Sequence, residues 1–141
     1  MKVNIIYWSG TGNTESMADA IGEGAREKGA DVKLISVSEA SLDDVKEADR
    51  VAFGCPAMGQ EELEEDEMRP FMDDANKEIS GKEVLLFGSY QWAEGEWMEK
   101  WVEEVKATGA KLIKEDGLIA YDSPDDSAIE ECKEIGRKLG E

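Results

Sequence analysis

The chain contains no histidine, only two cysteines and three prolines, and 16 basic residues against 34 acids. Each shortage closes something off. Without histidine there is neither the usual neutral-pH general base nor the commonest metal ligand, which excludes serine and cysteine triads and most zinc or non-haem iron chemistry. Cys55 and Cys132 stand in no pairing motif, so neither a disulfide framework nor a cysteine metal cluster can be built, and a reducing cytoplasm fits. Both read as small core residues rather than redox thiols. A net charge of −18 repels phosphate backbones and anionic lipid, which sets aside nucleic-acid and membrane-surface roles and favours basic partners. Long apolar runs are also missing. Val3 to Trp8 is far too short to span a bilayer and has no cleavage site behind it, so it reads as a strand. Any chemistry therefore rests on a bound cofactor.

What is present is a regular alternation. At 141 residues the expectation is one domain, 1–141, burying roughly 68% of the surface of its unfolded chain. Val3 to Trp8, Val51 to Cys55 and Val84 to Ser89 read as buried strands, and Val32 with Leu34 as a half-exposed edge strand. Leu112-Ile113 and Leu118 to Tyr121 supply a fifth strand, interrupted at Asp116-Gly117. Between them, Met17, Ala18, Ile21 and Ala25 mark a helix, as do Trp97, Trp101, Val102 and Val105, which assigns Trp97 and Trp101 to the core. Leu42 and Val45 anchor a short helix; Leu63, Met68, Phe71, Met72 and Ala75 suggest another; Ser123 with Pro124 starts the last one. Strands crossing over through helices on both faces give an α/β doubly wound five-stranded parallel sheet, order 2-1-3-4-5. Ligands bind such sheets outside the carboxyl ends of the strands.

The loop there after the first strand, Ser9-Gly10-Thr11-Gly12-Asn13-Thr14, holds three hydroxyls and two glycines and no basic residue. Converging backbone N–H groups, hydroxyls and a helix N-terminus make a nest for one phosphate. An ordinary strand-to-helix turn would leave the hydroxyl density unexplained. A triphosphate loop would end in Gly-Lys-Ser/Thr, and a dinucleotide fingerprint would need Gly where Glu15 stands. A monophosphate held by neutral donors remains, pointing to a mononucleotide.

Thr11-Gly12-Asn13-Thr14, Met58-Gly59 after the third strand, and Gly88-Ser89-Tyr90 with Trp92 after the fourth together resemble the three flavin-binding loops of the short-chain flavodoxins of anaerobic bacteria, over essentially the whole chain. The resemblance implies the flavodoxin-like fold and a noncovalent FMN bound by Ser9, Gly10, Thr11, Gly12, Asn13, Thr14, Pro56, Ala57, Met58, Gly59, Gln60, Glu61, Ser89, Tyr90, Gln91 and Trp92. Its phosphate would sit in the Ser9 to Thr14 loop with Ser89 adding a hydroxyl; Trp92 would stack on the outer flavin face and Met58 lie against the inner. The Gly59-Gln60 peptide would rotate on reduction so that its carbonyl accepts a hydrogen bond from flavin N5, and Glu61 would accept the N3 proton. Glycine makes such a rotation cheap. The sequence departs from relatives at Gln60, where Asp is common, at Pro56, in place of a hydroxyl, and at Gln91 and Ala93 around Trp92.

The function so implied is low-potential electron transfer, one electron at a time, mainly between the semiquinone and hydroquinone of FMN. Glu61, Glu62, Glu64, Glu65, Asp66 and Glu67 crowd the flank of the flavin loop, where they would steer basic redox partners, or simply solvate a helix start. Monomer is the default for such a shuttle. A stand-alone flavin reductase would need a hydride supply and room for a substrate, and the chain has no nicotinamide fingerprint. A signalling receiver domain would want paired acids after the first strand and Asp ending the third, where Trp8-Ser9 and Cys55 stand.

Overall fold

Residues 1–10, 12–58, 62–91 and 95–141 are described by the computed structural model. Apolar residues in the runs Lys2–Tyr7 (β1), Arg50–Gly54 (β3) and Glu83–Tyr90 (β4) are buried on both faces, the pattern of central parallel strands. Asp31–Ser36 (β2) alternates between exposed and half-buried residues, as an edge strand does. The fifth position is split. Lys111–Leu112 (β5) pairs with the first half of β4 and Leu118–Tyr121 (β6) with its second half, all parallel. Gly117 supplies the break, with φ of 78° and Met98 Sδ within 2.5 Å of where a Cβ would stand. The strand order is β2-β1-β3-β4-β5, with β6 continuing beyond β5 along β4.

Asn13–Glu27 (α1) and Asp126–Leu139 (α5) cover one face of the sheet; Leu42–Lys46 (α2), Met68–Ala75 (α3) and Glu96–Lys106 (α4) belong to the other. The two cores divide accordingly. Met17, Ile21, Leu85, Phe87 and Cys132 are buried on the first side. Phe53, Cys55, Met68, Met72, Trp97 and Trp101 are buried on the second, so the two tryptophans are core residues as their spacing implied.

Two helix starts differ from the sequence expectation. α3 begins at Met68 and leaves Leu63 outside it, because Pro70 in the first turn blocks helical backbone upstream and the Glu64 carboxylate takes the N–H groups of Asp66, Glu67 and Met68. α5 begins after Asp125, whose carboxylate accepts the N–H of Ala128 at 2.8 Å, so Asp125 and not Ser123 is the cap.

Candidate functional site

The carboxyl ends of β1, β3 and β4 enclose a cavity of about 230 Å³, lined by Trp8, Ser9, Gly10, Asn13, Thr14, Pro56, Ala57, Met58, Ser89, Tyr90 and Gln91. Three loops far apart in sequence thus share one site. Gly12 is not among the lining residues; it turns the chain into α1 at φ 95°, a conformation costly for any residue with a Cβ. Thr11, Gly59, Gln60, Glu61 and Trp92 lie outside the described residues.

At one end of the cavity the donors are neutral. Ser9 Oγ accepts the N–H of Gly12 at 3.1 Å and of Glu15 at 3.3 Å. Both lone pairs are then in use, and its own proton is left to donate. Gly12, the residue that precedes α1, has no side chain to cap it and Ser9 takes only the Glu15 N–H, so the N–H groups of Asn13 and Thr14 and the positive end of the helix dipole are left to that end of the cavity. Thr14 and Ser89, both buried, share a hydrogen bond of 3.0 Å between their hydroxyls. One proton bridges that pair, which leaves the other free for an acceptor in the cavity. This donor set suits a phosphate bound without a cation.

The remaining wall is largely apolar. Pro56 has no N–H to offer, while Cys55 and Ala57 on either side of it donate to Phe87 and Ser89 carbonyls and extend the β3–β4 ladder. Trp8 directs its indole N–H to Glu67 at 3.1 Å and presents its ring to the cavity. The Tyr90 ring packs edge-on against Tyr121 at 5.4 Å and at a tilt against Trp97 at 5.9 Å. Gln91 donates to Asp122 at 2.9 Å, and the Asp122 N–H donates to the Tyr90 carbonyl. Asp122, at φ 54°, is the only non-glycine residue with positive φ among those described. Trp8, Tyr121 and Asp122 are therefore site residues that sequence reasoning missed. Trp8 reads as the end of a core strand, and the Tyr121-Asp122 brace comes from 31 residues downstream with no motif to mark it.

Met58 and Glu62 exchange two backbone hydrogen bonds of 3.1 Å, closing the connection between them at its base. Of the acidic residues after it, Glu62, Glu65, Asp66 and Glu67 are exposed, but Glu64 is buried. Burial pushes the Glu64 carboxyl up, yet the N–H groups of Met68, Asp66 and Glu67 outweigh it and hold the group below its ordinary value. Burial pushes the Cys55 thiol up to about 12, and the Cys132 thiol likewise to about 12, so neither is a nucleophile.

A larger cavity of about 440 Å³, lined by Leu63, Arg69, Trp97, Lys100 and Trp101 with Glu62, Glu65 and Glu104, shares no residue with the first. Its three carboxylates oppose a phosphate, its Arg69 is paired with Glu104 at 2.6 Å, and no hydroxyl lines it. The smaller cavity has the chemistry. Among the described residues no group of His, Cys, Asp and Glu side chains could hold a metal, and no helix is long and apolar enough to cross a membrane.

Comparison with known proteins agrees with this geometry. Residues 5–136 match the family model described as flavodoxin. The chain is 44% identical to a flavodoxin of Clostridium beijerinckii over 97% of its own length and 98% of the relative's. It is 46% identical to one of Megasphaera elsdenii over 95% of each. The solution structure of the two-electron-reduced Megasphaera elsdenii flavodoxin superposes with a TM-score of 0.87, covering 98% of both chains, and an archaeal flavodoxin with 0.88 at 33% identity, covering 99% of this chain and 96% of that one.

Proposed function

The chain belongs to the flavodoxins, electron carriers built on FMN and not enzymes, and from that premise we propose that residues 1–141 act as one unit that shuttles single electrons at low potential, mainly between the one-electron- and two-electron-reduced forms of the cofactor. FMN, when bound, supplies the capacity to take up and release electrons singly. The observation that carries the reading is the meeting of three loops in one cavity, with neutral donors at one end and an apolar wall at the other.

The Ser9, Thr11, Thr14 and Ser89 hydroxyls, with the backbone of Gly10, Gly12 and Asn13, would hold the phosphate. Neutral donors suffice there because the helix end contributes its own partial charge. Pro56, Ala57, Met58, Tyr90 and Gln91 shape the rest of the site, where Met58 would lie against one flavin face and Trp92 against the other. The Gly59-Gln60 carbonyl would accept a hydrogen bond from a protonated flavin N5, and Glu61 would accept one from N3. A net hydrogen bond of about 0.5–1.5 kcal/mol corresponds to tens of millivolts in a one-electron couple. Exposed Glu62, Glu65, Asp66 and Glu67 flank the site and steer partners with basic docking surfaces. The protein works as a monomer in a reducing cytoplasm.

The test is Gly59→Val, which hinders rotation of the 59–60 peptide. In an anaerobic titration the fraction of protein in the one-electron-reduced form falls; an unchanged fraction removes the rotating peptide from the mechanism.

A further inference from the structure

Every polar atom of Glu64 is engaged, and its partners lie on both sides of the cofactor turn. Its carboxylate accepts the N–H groups of Asp66 at 2.8 Å, Glu67 at 2.7 Å and Met68 at 3.0 Å. Its backbone carbonyl accepts the Arg69 N–H at 2.8 Å. Its own N–H donates to Cys55 Sγ at 3.4 Å, at the end of β3. A helix start alone needs less: Asp125 caps α5 with a single bond to Ala128. Glu64 stands two residues beyond Glu62, whose paired hydrogen bonds to Met58 close the base of residues 59–61. The intervening Leu63 is buried, which leaves that short link little freedom to swing.

We propose that Glu64 is a positioning residue for the cofactor turn: by fastening the chain that leaves residues 59–61 to the end of β3 and the start of α3, it fixes the frame on which the Met58–Glu62 bridge closes, and so sets how far apart the two one-electron steps lie. The inference rests on the FMN reading above. Glu64 does not line the cavity and acts only through residues 59–61.

Full-length FMN-loaded protein is compared with Glu64→Asp, Glu64→Gln and Glu65→Gln. Glu64→Asp keeps the charge and shortens the reach. Glu65→Gln removes the same charge as Glu64→Gln, from an exposed side chain that makes no hydrogen bond among the described residues. Both Glu64 variants raise the disproportionation constant of the singly reduced protein at least tenfold, which draws the two couples about 59 mV closer, while Glu65→Gln changes it less than threefold. In the apoprotein, amide exchange at Met58 and Glu62 quickens in Glu64→Asp.

Glu64 variants within threefold of wild type, or a Glu65→Gln effect as large as that of Glu64→Gln, overturn the proposal. Should the Glu64 variants not fold, amide exchange in wild-type apoprotein decides. Met58 and Glu62 opening together with Asp66, Glu67 and Met68 supports the shared frame, and separate, much faster opening of Met58 and Glu62 refutes it. A wild type that binds no FMN removes the FMN reading and this one together; a wild type that forms the singly reduced species beside unresponsive variants removes this one alone.

Discussion

Thr14→Val separates two jobs that one hydroxyl performs. Thr14 is 1% exposed and its Oγ lies 3.0 Å from that of Ser89, itself 4% exposed. Valine fills nearly the same volume, so the change removes a hydrogen bond and strands the Ser89 hydroxyl without a protein partner, at a cost of roughly 1–3 kcal/mol in the apoprotein. It also withdraws a donor from the phosphate end of the cavity. A hydrogen bond to a charged group contributes about 1.5–3 kcal/mol, which at 1.4 kcal/mol per tenfold predicts an FMN dissociation constant roughly 10- to 100-fold larger.

Ser89→Ala and the double variant complete the cycle. With both hydroxyls gone neither is left stranded by the loss of the other, so apoprotein stability in urea recovers most of what either single variant loses. FMN affinity, followed by quenching of flavin fluorescence, does not recover, because the bound phosphate then lacks both donors. A double variant that restores wild-type affinity would refute the reasoning: the hydroxyls would serve only each other. Single variants with unchanged stability and affinity would refute it equally.

Other consequences are separately measurable. A Cβ on Gly136 would stand 2.1 Å from the Ile21 carbonyl oxygen across the α1–α5 contact, so Gly136→Ala forces the helices apart and lowers urea stability by about 1–3 kcal/mol. With both thiols raised to about 12, Cys55 and Cys132 fail to react with a disulfide reagent at pH 8 in the folded protein and both react in urea; a reactive thiol in the native state would contradict their burial. Glu64 is held below its ordinary value, so its contribution is fully present above the unfolded carboxylate pKa of about 4.3 and is lost as pH falls through the lower folded value. Urea midpoints of wild type and Glu64→Gln should therefore differ at pH 7, draw together as the pH falls below the unfolded carboxylate value, and meet only below the lowered folded one.

The sheet and its cavity were legible in the sequence because each central strand is an uninterrupted apolar run that stops at small, polar residues. The split fifth strand was legible too, since Asp116-Gly117 interrupts two short apolar pieces, and Gly117 there takes a positive φ. Less visible was anything decided by competition between neighbours. The acidic stretch before Met68 carries helical periodicity, but Pro70 and the Glu64 carboxylate settle where the helix starts. Asp125 outcompetes Ser123 as a cap because its carboxylate lies within reach of the Ala128 N–H. Contacts across long separations left no local signal at all: Thr14 with Ser89, Trp8 with Glu67, and Gln91 with Asp122 pair only because the sheet brings strand ends together.

The central claim is one-electron carriage on FMN held by these three loops, and an anaerobic reductive titration of the purified protein under visible light absorption tests it most directly. The account predicts a yellow protein that releases FMN on denaturation and passes through a stable blue one-electron-reduced form before bleaching. Passage straight to the two-electron-reduced state, or failure to bind FMN on reconstitution, would contradict it.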